Sequence, residues 1–513
     1  MIHISTSFAL LVVAIIILVC IAGSRLSGRL GVPTLFIFIM LGMLFGSDGI
    51  FKIPFGNFAL AEQVCSVALI FIMFYGGFGT RWSEAKPVAG RSILLSSAGV
   101  VLTAFLTGLF CHLVLKMALM EGMLLGAVLG STDAASVFSI LRSRKLNLKY
   151  GTASMLELES GSNDPFAYMM TVILLSAMTG SVSGGSAVLL LIRQLAFGLL
   201  TGAAVAWLVT WLLKRYAFYG EGFDTIFVFA AAIISYALAS QIGGNGYLSV
   251  YLTGIILGNQ ELKNQKALVG FFDAFTGMMQ MLLFFLLGLL AFPSQMPSIV
   301  LPAIAIALFL TFVARPAAVG LLLAPSKPPI GQYLVISWAG LRGAASIVFA
   351  IMATLSEGYM KYDIFHIVFC VVLFSIIFQG SLLPKVAEKC DMIDNSTDVM
   401  RTFSDYTGDM QIQFVQLPIG DNHPWKNRKI CEIEMLPGML ITVIRGAQTI
   451  VPKGQTVILE GDTVVLGAEG FTDSQGILLK EILMTPDHRW CGKKIAEARF
   501  YKNTIIVMIK RGS

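Results

Sequence analysis

Apolar runs of 18 or more residues recur from the N-terminus to about residue 385, broken by short connectors that carry most of the charge. At ~1.5 Å per residue, a run of that length crosses the ~30 Å hydrocarbon core of a bilayer as a helix. The pattern predicts thirteen helical spans: residues 6–23, 32–47, 59–78, 90–115, 122–141, 153–178, 190–213, 222–241, 246–258, 267–292, 299–324, 331–356 and 362–384. The ninth is short enough to be tilted or discontinuous. A membrane β-barrel would alternate in ten-residue segments instead. After about residue 390 the pattern changes to period-two stretches, "IQFVQLPIG" and "TVILEGDTVVLG", bounded by Gly and Asp turns. The expected fold is therefore a polytopic α-helical membrane protein carrying a small cytoplasmic α+β domain.

The tail also repeats itself. "NHPWKNRKICEIEMLPGMLITVIRG" (422–446) matches "DHRWCGKKIAEARFYKNTIIVMIKRG" (487–512): His-x-Trp, a basic patch, a short helix, a strand, then Arg-Gly. The first copy continues into "TIVPKGQTVILEGDTVVLG", and the second stops at Ser513. The expected domains are a membrane unit over 1–388, a soluble unit over 400–475 and the start of a second copy over 476–513, in a shortened form of a longer protein. His-x-Trp is read as a packing motif that opens each copy.

Composition agrees with the membrane reading: 56% of residues are hydrophobic and 13% charged, with a mean hydropathy of +0.80, where a soluble domain carries about 25% charged residues. The first run has its charges, Arg25 and Arg29, after it rather than before it, so it reads as a retained span and not a signal peptide. Loops after odd-numbered spans hold fourteen Lys and Arg: Arg25, Arg29, Arg81, Lys86, Arg91, Arg142, Arg144, Lys145, Lys149, Lys214, Arg215, Lys263, Lys266 and Lys327. Loops after even-numbered spans hold three, Lys52, Lys116 and Lys361, and Arg193 at the edge of the seventh span is assigned to neither side. The bias predicts odd-numbered loops and the C-terminus in the cytoplasm and the N-terminus outside. The net charge of +6 sits in these loops, so nucleic acid is not an expected partner; lipid is. Four of the seven Cys (Cys20, Cys65, Cys111, Cys370) lie in apolar spans and three (Cys390, Cys431, Cys491) in the tail, without metal-ligand spacing.

One span breaks the apolar rule. "ELESGSNDPFAYMM" (157–170) places three carboxylates, an Asn and a Pro inside the sixth. Asp164 lies about eleven residues past Ala153, ~17 Å along the axis and near the bilayer midplane. A carboxylate there costs at least about 2.5–3.5 kcal/mol, so it must face protein, water or a cation. Glu159 and Asn163 are one turn apart, as are Ser160 and Asp164, so these side chains form adjacent stripes on one helix face. An Asp beside a hydroxyl and an amide oxygen supplies hard oxygen ligands for a monovalent cation. Because burial disfavours its charged form, the same oxygen can also hold a proton. The competing reading is a buried acid paired with a structural Arg. Glu159 fits that reading better, because Arg315 in "TFVARPAAV" lies mid-span in the eleventh and needs a partner. Glu157, roughly 200° around the helix from Glu159, reads as funnel charge or a loop-facing acid.

A second pair of segments adds to this. "GSTDAASVFSI" (130–140) in span five resembles "GLRGAASIVFAI" (340–351) in span twelve. Seven spans apart, the two run in opposite directions. Weak similarity between inverted segments, each interrupted by Gly and charge, predicts crossed, broken helices. Asp133 and Arg342 would offset the partial charges of the half-helix ends, and the carbonyl or hydroxyl of Thr132 would face the cation.

"ESGSNDP", "STDAAS" and "GLRGAAS" resemble the signatures of the NhaP-type cation/proton antiporters, in the monovalent cation:proton antiporter family, over residues 1 to about 385. The resemblance implies a dimer of thirteen-helix protomers with inverted repeats, exchanging Na⁺ or K⁺ for H⁺ across the bacterial inner membrane by an elevator-like movement. By motif, Asp164 would be the ion-binding, proton-carrying acid, and the preceding Asn163 places the chain with electroneutral members. Ser160 and Thr132 would be ion ligands, Glu159 and Arg315 a helix-six to helix-eleven pair, and Asp133 and Arg342 charges at the crossing. The tail resembles the TrkA-C domain, the C-terminal subdomain of the regulators of potassium conductance. Such domains dimerise and bind ligands, cyclic di-AMP among them. No G-x-G-x-x-G lies between residues 385 and 420, so NAD is not expected, and no other cofactor is. The association of such tails with potassium favours K⁺.

Rival classes fit less well. A potassium channel needs a T-V-G-Y-G-like filter, which is missing from the sequence. An anion carrier built on Arg315 and Arg342 would leave the Asp164 cluster without a role. Neither a nucleophile–base nor a metal motif stands out, and His112 and His366 read as lone residues in spans, so an enzyme is not expected.

Overall fold

The computed structural model describes residues 6–30, 33–133, 136–137, 140–141, 146–181, 184–215, 222–260, 262, 265–356, 358, 360–394, 412–421, 423–433, 439–445 and 448–469. It divides into two compact units, Met1–Gly408 and Asp409–Ser513.

Helix occupies each of the apolar stretches of the first unit. In chain order these are α1 (Thr6–Leu30), α2 (Thr34–Phe45), α3 (Phe58–Gly79), α4 (Ala89–Leu113), α5 (Leu119–Val128), α6 (Thr152–Met178), α7 (Gly184–Arg215), α8 (Phe223–Gln241), α9 (Gly246–Gly258) and α10 (Gln265–Leu290). Then follow α11 (Met296–Phe309, Leu310–Ala314 and Arg315–Leu323), α12 in two pieces (Ile330–Trp338 and Ala344–Leu355) and α13 (Ile364–Lys389). Among the described residues seven helices, α3, α4, α7, α8, α10, α11 and α13, are long and apolar enough to cross a bilayer. α6 has the length, 27 residues, but its polar insert keeps it below that apolarity. α1 runs on through Arg25 to Leu30, past the expected end at residue 23, because Arg and Leu are good helix formers once clear of the apolar core. α9 is an unbroken 13-residue helix, its first turn capped by the Asn245 side chain, which accepts from the Leu248 N–H at 3.0 Å.

Small residues let the helices meet at backbone distance. A Cβ at Gly42 of α2 would lie 2.1 Å from the Phe285 carbonyl of α10, and one at Gly126 of α5 would lie 2.2 Å from that of Ala104 in α4. Alternate connectors gather at opposite ends of the bundle. At one end, the Asp48 carboxylate accepts from the Ser294 N–H (3.1 Å), Glu121 from the Tyr362 N–H (2.8 Å) and His366 Nε2 from the Phe292 N–H (3.1 Å). These contacts join the connectors after α2, α4, α10 and α12. His366 Nδ1 also lies 2.6 Å from Asp363, so this histidine clamps two connectors and is not the lone residue its position in the sequence suggested. Arg193 belongs to the same end, donating at 2.9 Å to the Ile242 carbonyl after α8. At the other end, Lys149 meets Asp391 at 2.9 Å and Asn259 accepts from the Trp82 N–H at 2.8 Å, joining the connectors after α5, α13, α3 and α9.

In the second unit, β1 (Ile412–Pro418), β2 (Met439–Arg445), β3 (Gln448–Ile450) and β4 (Asp462–Glu469) form an antiparallel sheet in the order β1-β4-β2-β3. Of "TVILEGDTVVLG" only the second half is a strand. Gly461, at φ +78°, turns the chain just before it, and Asp462 closes that turn by accepting from the Leu459 N–H at 2.8 Å. His423 and Trp425 stack edge-on with centroids 5.1 Å apart, and Trp425 packs on the small core of Ile419, Val443, Ile458, Val464 and Leu466. The second copy over 476–513 lies outside the described residues.

Asp462 is fully buried and receives two 2.8 Å hydrogen bonds from the Arg445 guanidinium. Those bonds hold its carboxyl below the usual range, against the opposing effect of burial. A depressed folded value stabilises the sheet above the unfolded pKa of about 3.9 and loses that stabilisation as pH falls through the folded one. Asp462→Asn is expected to cost about 1–2 kcal/mol, trimmed because Arg445 is partly exposed. Hydrogen exchange of β2 and β4 in the full chain checks this: protection should fall in the variant at pH 7, and the difference from wild type should shrink only as pH falls below about 4, toward the folded value.

Candidate functional site

Two helices are interrupted partway along. α5 ends at Val128 and the chain is non-helical through Ser131, Thr132 and Asp133, with helical positions again at 136–137 and 140–141. α12 ends its first piece at Trp338, is non-helical to Gly343 and restarts at Ala344. The two non-helical stretches cross. The Asp133 N–H donates to the Leu341 carbonyl at 2.8 Å, and a Cβ at Gly343 would lie 2.4 Å from that of Asp133, so glycine is needed where the backbones meet.

Both ends flanking the α5 break are met by the charge their dipoles require. Arg342 Nη1 donates to the Leu129 carbonyl and, at 3.0 Å, to that of Ser131, at the negative end of α5. Asp133 accepts from the Ser136 N–H at 3.2 Å and its hydroxyl at 2.5 Å, as an acid does where a helix begins. The break in α12 is held by α13. Gln379 donates at 2.6 Å to the Trp338 carbonyl, and Ser375 Oγ accepts from the Arg342 N–H at 3.0 Å. Ser375 and Gln379 lie on a π-helical turn, Ser375–Gly380; a second such turn, Leu310–Ala314, delivers Arg315.

The polar face of α6 meets the α5 break. Ser160 Oγ donates to the Thr132 carbonyl at 2.5 Å, Asn163 Nδ2 donates to Thr132 Oγ1 at 2.5 Å, and the Thr132 N–H donates to Asn163 Oδ1 at 3.2 Å. Ser131 Oγ donates to Asp164 Oδ1. Ser131, Thr132, Ser160 and Asn163 are buried, and Asp164 alone of the group keeps partial exposure. A largely buried carboxylate on a residue that keeps some exposure thus sits in a ring of hydroxyl, carbonyl and amide oxygens, which suits a proton or a small monovalent cation. Ser131 was not singled out in the sequence; its place beside Thr132 in "STD" was the signal for it.

Glu159 and Arg315 pair with each other and not with this ring. Arg315 Nη1 is 2.6 Å from Glu159 Oε1, with both side chains buried. The contact lacks hydrogen-bond alignment, and neither Glu159 oxygen has a hydrogen-bond partner among the described residues. Glu157, two residues earlier, is partly exposed.

Residues 14–389 match the family model described as sodium/hydrogen exchanger, transmembrane. The chain is 36% identical over 382 residues to the K(+)/H(+) antiporter NhaP of Alkalimonas amylolytica, covering 74% of this chain and 66% of that protein. It is likewise 36% identical over 383 residues to the K(+)/H(+) antiporter NhaP2 of Shewanella oneidensis, with the same coverage. It therefore spans just under two thirds of the length of these relatives. The sodium proton antiporter MjNhaP1 of Methanocaldococcus jannaschii, in its structure at pH 8, superposes with a TM-score of 0.66 at 22% identity, covering 75% of this chain and 99% of that one, and so shares its fold. Crossed broken helices, the polar face of α6 and a family match over 14–389 together establish that the chain belongs to the sodium/hydrogen exchanger family.

Proposed function

We propose that this protein is a secondary antiporter that exchanges K⁺, or Na⁺, for H⁺ across the bacterial inner membrane. The observation that carries the reading is Asp164: one largely buried carboxylate at the helix crossing, bonded by Ser131 and ringed by Thr132, Ser160 and Asn163. Proton and cation compete for that carboxylate, so release of one accompanies uptake of the other. The Asn163–Asp164 pair favours one cation per proton. Glu159–Arg315 serves as a structural pair, and Asp133 and Arg342 as charges that hold the crossing. The names of the NhaP and NhaP2 relatives favour K⁺, and that of the structural neighbour Na⁺. The reading includes thirteen crossings with inverted repeats, the N-terminus outside, a homodimer, and a cytoplasmic TrkA-C-like tail that gates exchange in response to a nucleotide such as cyclic di-AMP.

Proteoliposomes with a trapped pH dye test it. Adding K⁺ outside is expected to alkalinise the lumen, more strongly than the same concentration of Na⁺ and at a rate independent of imposed membrane potential. K⁺ uptake without a pH change would instead indicate a gated channel or permease. Removal of the tail is expected to change regulation while exchange persists. The cut belongs after Asp394, because Lys149 bonds the carbonyl of the buried Met392 at 2.9 Å and Leu148 bridges to Ile393.

A further inference from the structure

Tyr251, in the middle of α9, is 3% exposed, and its hydroxyl has no hydrogen-bond partner among the described residues. A buried hydroxyl left unpaired is destabilising, and a Phe would fill the same space without that cost. The ring lies flush on α6: a Cβ at Gly161 would stand 2.5 Å from the phenol oxygen and from Cε2. On its other side, Gly77 of α3 would place a Cβ 3.1 Å from Cδ2. Gly161 is one turn past Glu157 and one turn before Asp164, so the phenol rests on the helix face between the two carboxylates. The hydroxyls of Ser162 and Thr80 stand beside the phenol without meeting it in hydrogen-bond geometry, the latter donating instead to the Gly76 carbonyl at 2.9 Å. Pro165 has no N–H, so the Gly161 carbonyl lacks its helical donor and adds another oxygen to this turn.

We propose that the Tyr251 hydroxyl is an accessory oxygen ligand for the transported cation, placed between Glu157 and Asp164 on the side of the site that the loop charges assign to the cytoplasm. The inference rests on the antiport reading above. A cation leaving Glu157 sheds water before it reaches Asp164, and the phenol oxygen with the Gly161 carbonyl replaces part of that hydration. Gly161 has no side chain because the phenol occupies the space a Cβ would need.

The test is Tyr251→Phe in the full chain, assayed for cation-dependent exchange from each face in everted and right-side-out vesicles. The expected result is a rise of about tenfold in the apparent KM for the cation at the cytoplasmic face, with a much smaller effect on maximal rate and on the KM at the outer face. An unchanged KM at both faces overturns the proposal, as does an equal rise at both. Thallium density in wild-type protein provides a check that needs no variant. Density touching Tyr251 Oη supports the proposal, and thallium at Asp164 with none at Tyr251 overturns it. Wild-type protein that exchanges nothing would instead remove the antiport reading itself.

Discussion

Asp164→Asn is expected to reduce cation/proton exchange by about 100-fold or more while leaving the protein folded. Asn has the shape of Asp, and its amide oxygen can still accept from Ser131 Oγ, so the contact between α6 and the α5 break survives. What disappears is the charge. A neutral amide neither carries the proton nor balances the cation, and losing a charge from a desolvated site costs about 2–5 kcal/mol, with each 1.4 kcal/mol worth tenfold. Flux in proteoliposomes and the melting temperature in detergent together check this: flux should vanish while the melting temperature moves by no more than a few degrees. Exchange within threefold of wild type in a folded Asp164→Asn protein would falsify the assignment. Ser131→Ala offers a graded companion, since it removes one neutral partner and leaves the carboxylate.

The membrane unit was legible in the sequence because its signals are local. Apolar length marks a span, and a carboxylate at mid-span has few physical uses. The weak match of "GSTDAAS" to "GLRGAAS" located both breaks because Gly, Asp and Arg at those points are the residues that crossed half-helices require. Other features depend on contacts far apart in the chain. Ser131 matters through Asp164, 33 residues away. Arg193 could not be placed from loop counting, since its partner is the Ile242 carbonyl. His366 has a local partner in Asp363, but its role in joining two connectors comes from Phe292, 74 residues away. The π-helical turns in α11 and α13 leave no periodic trace, yet they aim Arg315 and Gln379 at the α12 break. In the tail, period-two alternation overran Gly461, where φ of +78° ends any strand.

Arg315→Ala is expected to destabilise the membrane unit by about 3–5 kcal/mol, the largest effect on stability among these predictions, because it strands a buried carboxylate. Glu159 is 1% exposed, and neither of its oxygens has a hydrogen-bond partner among the described residues, so the 2.6 Å contact with Arg315 is what offsets its desolvation. The reverse change, Glu159→Ala, leaves a guanidinium whose Nε is already unpaired and should cost a similar amount. The pair joins α6 to α11 beside the α12 break, where a Cβ at Gly340 would lie 3.0 Å from Arg315 Nε, so its loss loosens the scaffold of the site more than the site itself. The melting temperature of Arg315→Ala should therefore fall by several degrees while the apparent KM for the cation shifts by less than about threefold. Replacing both residues with Leu and Met should recover most of the loss, because apolar groups of similar volume owe no desolvation. A single variant with an unchanged melting temperature and a large KM shift would move Glu159 and Arg315 from the scaffold into the ion path.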